Sequence, residues 1–151
     1  MISEIETKII EILQAATIDD VGTDVVQGID DVLLNFNEYE SYPRIVVVCE
    51  SVEPLNVQIG AVTKEYTVNI TLLCLNADKN ELVVQRDIIM ERIELALRSN
   101  ERLDNIASAD GKEKVYSSHI STVRISKFGF ENYFFGVVWF NFKVDTDRLV
   151  V

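Results

Sequence analysis

The segment NYFFGVVWFNFKVDT, residues 132 to 146, constrains the fold more than any other stretch of the chain. At the two-residue period of a strand, Phe134, Gly136, Val138, Phe140, Phe142 and Val144 share one face, apolar from end to end. The opposite face carries Tyr133, Phe135, Val137 and Trp139, and then turns polar at Asn141, Lys143 and Asp145. A strand with one whole apolar face and half of a second needs cover on both sides. A chain of 151 residues has the size of a single domain, spanning 1–151, and one core supplies the first cover. What covers the second half-face bears directly on function.

The rest of the chain alternates helical and strand periods. Residues 3–16 predict a helix, with Ser3 and Glu6 in capping-box spacing and a stripe of Ile5, Ile9, Ile12 and Leu13. Residues 17–43, with acidic pairs at Asp19-Asp20 and Asp30-Asp31, predict a long connection holding one helical turn or short strand. After Pro43, the unbroken run Ile45 to Val48 predicts a strand covered on both sides. Glu53-Pro54 and Gly60 then mark residues 51–61 as a loop or hairpin arm. Residues 62–75 alternate cleanly, with Val62, Tyr66, Val68, Ile70, Leu72 and Cys74 toward the core and Thr63, Glu65, Thr67, Asn69 and Thr71 toward water. Residues 78–99 predict the longest helix, its stripe of Leu82, Ile89, Ile93, Ala96 and Leu97 widened by Val84, Ile88 and Leu95. Strands near 115–127 and 132–145 follow, joined around Gly129. Hairpins connected by one long helix predict an α+β fold: a mainly antiparallel four-stranded sheet with two helices packed on one face.

Chemistry-bearing patterns are sparse. His119 is the lone histidine and sits among serines, which reads as a solvated strand face rather than a triad. His119, Cys49 and Cys74 are too few and too scattered for a structural zinc site, and both thiols fall within apolar strands as buried, inert groups. Neither the Asp pairs nor Asp145-x-Asp147 carries a calcium-hand loop, and the six glycines form no phosphate loop. The expectation is no enzyme, no catalytic residue, no cofactor and no metal. A formal net charge of −11 disfavours duplex DNA and anionic membranes as partners of the outer surface. No apolar run spans a bilayer and the N-terminus lacks a signal-peptide pattern, so the chain reads as cytoplasmic.

The order of these features resembles the tail-terminator (tail-completion) proteins of long-tailed bacteriophages. The matching features are an N-terminal helix, a Tyr42-Pro43 strand entry into Ile45-Val46-Val47, and Glu65-Tyr66 leading into Ile70, Leu72 and Leu75. An amphipathic helix ending in Ala96 to Asn100 and a closing aromatic strand complete the series. The resemblance implies a structural virion subunit that assembles with its own copies into a ring, typically a hexamer. Such a ring caps the tail tube and offers the docking surface for the head or neck. Its partners would be the tail tube protein and a neck or connector protein, in the virion tail after assembly in the host cytoplasm. The expected subunit interface is Tyr133, Phe135, Val137 and Trp139; the competing reading has residues 17–43 fold over that face within one chain. Residues 51–61 and 101–114 are the expected docking loops. Alternatives are a neck, head-completion or other tail ring protein or, from a different class, a small ligand-binding or enzymatic α+β domain.

Overall fold

The computed structural model describes residues 1–21, 23–27, 43–129 and 134–149. The sheet is built from β1 (Asp24–Gln27), β2 (Arg44–Gln58), β3 (Ala61–Asn76), β4 (Glu113–Gly129) and β5 (Phe134–Leu149). Its helices are α1 (Ile2–Val21) and α2 (Lys79–Arg98). The strand order is β1-β2-β3-β5-β4, antiparallel throughout except that β1 runs parallel to β2. The expected four-stranded sheet is therefore a five-stranded mixed one. The extra strand is four residues long, DVVQ, too short to show a period within residues 17–43. Arg44 crosses the β1–β2 pair to donate to Asp24 Oδ2 at 2.7 Å.

Both helices pack on one face of the sheet. Ile5, Ile9 and Leu13 of α1 and Leu82, Ile89, Ile93 and Leu97 of α2 are essentially without exposure. They meet Ile45 and Val47 of β2, the even-numbered apolar residues of β3 from Tyr66 to Cys74, and Val138, Phe140, Phe142 and Val144 of β5. Each large side chain so buried contributes about 1.5–3 kcal/mol of transfer free energy. Gly136 of β5 faces α2: a Cβ built there would sit 3.5 Å from the Leu82 side chain. Asp78 caps α2, its Oδ1 accepting the backbone N–H groups of Asn80 and Glu81 at 2.8 and 3.3 Å.

Two local expectations change. Ser3 and Glu6 form no capping box, because α1 already begins at Ile2. Glu6 is buried instead, and its carboxylate accepts from Gln27 Nε2 at 3.0 Å and from the Cys49 backbone N–H at 2.9 Å. It thereby satisfies β2 two residues beyond the end of its pairing with β1. The odd-numbered face of β3 is also drier than its alternation predicts. Thr71 and Leu73 are buried there, because β3 lies between β2 and β5 at the middle of the sheet.

Candidate assembly surface

The reverse face of the sheet carries a small apolar cluster of Val46, Leu73 and Val137, with Val26 and Trp139 packed against it. This is where the expected interface residues of β5 fall. Val137 is fully buried and Phe135 8% exposed within a single chain, while Trp139 is half-buried with the Arg124 guanidinium 5.1 Å from its ring centroid. Tyr133 lies outside the described residues. Of residues 17–43, proposed above as intrachain cover, Val26 does pack into this cluster; residues 28–42 lie outside the described set. Among the described apolar residues of this β5 face, Trp139 is the one a neighbour can still reach.

The larger uncovered apolar surface lies on the β2–β3 hairpin. The segment expected as a loop at 51–61 is a continuous strand to Gln58, turning at Ile59-Gly60, with Gly60 at φ 85°. Every residue from Glu50 to Ile59 is exposed, including Val52 at 37%, Leu55 at 52%, Val57 at 72% and a fully exposed Ile59. The register places Val52, Pro54 and Val57 opposite Tyr66, Lys64 and Val62, hence on the same face as the core. The hairpin thus extends the helix-bearing face of the sheet beyond its helices. Bulges at Glu50 and Leu55, together with Pro54, interrupt the regular spacing of edge donors and acceptors. An irregular edge of this kind favours contact through side chains over extension of the sheet by another strand.

A second uncovered surface is the outer side of α2. Val84 is 59% exposed, Ile88 42% and Leu95 67%. With Asn76, Gln85 and Arg92, the first two line a shallow groove of about 570 Å³. These residues do not widen the buried stripe as expected. At about 100° per residue, they fall roughly 200–260° around the helix from Leu82 and Ile89. The helix carries two stripes, and the second faces water.

A polar clasp holds the base of the hairpin. Glu113 is 2% exposed and accepts from the Tyr66 hydroxyl and, at 3.0 Å, from Thr146 Oγ1. Lys64 Nζ and Arg148 Nη1 each lie 3.6 Å from its other oxygen. Burial and the bond to Glu113 push the Tyr66 hydroxyl far above its ordinary pKa. Arg148 also donates to Asp110 at 2.8 Å, and hydrogen bonds from Ser108, Lys112 and Arg148 hold that carboxyl well below its usual range. In the adjoining 101–114 segment, Leu103, Asp104 and Asn105 all have positive φ, and Lys8 bridges to Asp104 at 2.5 Å.

His119 is exposed on β4 opposite Lys143. It borders a shallow pocket with Arg98, Glu101, Ser118 and Phe142, in which Ser118 donates its hydroxyl to the Glu101 carbonyl at 2.6 Å. Cys74 is buried, its thiol pushed up to about 12 by desolvation, and Cys49 is half-buried with its thiol also raised by burial. Among the described residues no cluster of three or more His, Cys, Asp or Glu could hold a metal ion, and no helix is long and apolar enough to cross a membrane. No protein-family model matches this chain, and no curated protein does. Among solved structures it is similar to a chain of the virion of a native gene transfer agent (GTA) particle. That match has 11% identity over 88% of this chain and 84% of that one, with a TM-score of 0.47. A likeness of that size establishes neither a common fold nor a common function.

Proposed function

We propose that this chain is a structural subunit of a long-tailed phage-like virion that assembles with its own copies into a closed ring. The observation that carries the reading is the uncovered apolar end of the β2–β3 hairpin, Val52, Leu55, Val57 and Ile59, in a protein whose net charge is otherwise strongly solubilising. Contiguous apolar patches of several hundred Å² on a small domain mark interaction surfaces. The order of sequence features, which resembles the tail terminators, supports the narrower version: a ring, typically a hexamer, that caps the tail tube and receives the neck. Trp139 supplies a second, smaller contact on the reverse face. The subunit works by surface complementarity and performs no turnover.

Native mass measurement of the purified chain at micromolar concentration tests the reading. A single closed oligomer is expected, and a monomer of 17.2 kDa at every concentration would overturn it. Binding of the assembled ring to isolated tail tubes, rather than to head connectors alone, separates a terminator from a neck ring.

A further inference from the structure

We infer that the contact between successive copies is made by the β2–β3 hairpin of one subunit seated on the outer stripe of α2 in the next. The inference rests on the ring reading above and assigns it a pair of surfaces.

The two patches are complementary in kind. The hairpin offers a bare, helix-side sheet face of Val52, Pro54 and Val57, flanked by Leu55 at its bulge and Ile59 at its tip. The outer side of α2 offers a helix stripe of Val84, Ile88 and Leu95 that no described element covers. Inside the subunit, the same kinds of surface are already joined, since α2 packs its other stripe on β3 and β5. A neighbour's α2 would continue the helix layer across the part of the sheet that its own helices leave bare.

Area and charge point to a second copy as the occupant. Taking a whole aliphatic side chain as roughly 150–200 Å², the exposed fractions amount to about 700 Å² of apolar surface, the non-polar share of an interface at the lower end of the standard class. Two subunits that are each strongly acidic must also avoid setting carboxylates against each other. The register puts Glu53 opposite Glu65, on the far face of the hairpin, so the helix-side face carries no carboxylate between Ser51 and Ile59. Asn76, Asn80 and Gln85 line the α2 groove together with one carboxylate, Glu81, and one guanidinium, Arg92, so the only carboxylate of the groove meets a hairpin face that has none. Because the two patches are different surfaces, the contact is head-to-tail, the arrangement that generates rings when the rotation closes.

Two charge variants test this. Val57→Glu and Ile88→Glu each place a carboxylate on an exposed position, so folding is expected to survive and is checked by circular dichroism and thermal melting. Each variant alone should lose the oligomer and run as a monomer. Mixed in equal amounts they should form a heterodimer and stop there, because each retains one intact surface. If either variant assembles like the unmodified chain, or if the mixture stays monomeric, the pairing is wrong while the ring reading stands. If the unmodified chain is itself monomeric, both fall. As a check independent of charge, Val57→Cys and Ile88→Cys in a Cys49→Ser background should give, on air oxidation, a disulfide joining position 57 of one subunit to position 88 of the next. Cross-links only between identical positions would show a two-fold contact and overturn the inference.

Discussion

Replacing Glu113 tests the clasp that joins β3, β4 and β5 at the base of the hairpin. In Glu113→Ala the Tyr66 hydroxyl, 3% exposed, and the Thr146 hydroxyl, fully buried, lose their common acceptor. Each buried donor left without a partner costs about 1–3 kcal/mol. Lys64 and Arg148 also lose the carboxylate 3.6 Å away, while removing a buried charge recovers part of its desolvation cost. The net expectation is a loss of about 2–4 kcal/mol for Glu113→Ala and about 1 kcal/mol for Glu113→Gln, which keeps an acceptor and the shape. Urea unfolding at fixed protein concentration, followed by the fluorescence of Trp139, the single tryptophan, reads the difference. A slope of about 1–3 kcal/mol/M puts the Ala variant's midpoint roughly 1–2 M lower. Adding Tyr66→Phe should then cost less in the Ala background than alone, by about 1 kcal/mol. Strict additivity, or an Ala variant as stable as the Gln variant, would refute the clasp.

Three further outcomes follow from local geometry. Gly136→Ala should be neutral or slightly stabilising, since its Cβ makes ordinary contact with Leu82. Gly136→Leu should instead force α2 off β5 and lower the melting temperature; equal melting of the two variants would contradict the packing described. Asp78→Ala should cost about 1 kcal/mol by uncapping α2, and an unchanged urea midpoint would count against the cap. Burial, and then the charge of Glu65 across the strand pair, raise the Asp145 carboxyl above its unfolded value. Ionised Asp145 therefore destabilises the fold at neutral pH, and that penalty fades as pH falls through the raised pKa. Asp145→Asn should raise the melting temperature at pH 7 by an amount that shrinks toward pH 4; a gap constant with pH would contradict the assignment.

Strand and helix identities were legible wherever one period ran long enough. The even-numbered face of β5, the core face of β3 and the inner stripes of α1 and α2 all sit where their spacing puts them. The misreadings have distinct physical causes. Four residues cannot display alternation, so residues 17–43 read equally as holding a helical turn or a short strand, and β1 is that short strand. Pro54 and Gly60 read as a loop because they punctuate a chain, yet Pro54 sits at a bulge in the part of β2 beyond its pairing with β1, where a missing N–H is tolerated. Val84, Ile88 and Leu95 are apolar residues of a helix, which usually point inward; their angular position separates them from the buried stripe. The aromatic half-face of β5 drew attention because it is conspicuous in one dimension. In three dimensions Phe135 and Val137 are interior, and the hairpin and the outer side of α2 leave more apolar surface in water than that half-face does.

Closed head-to-tail assembly is visible by electron microscopy of the purified, unmodified chain at micromolar concentration. Uniform rings with an open centre and identical contacts between neighbouring subunits are expected. Two-fold dimers, open filaments of indefinite length, or a field of monomers at that concentration would contradict it.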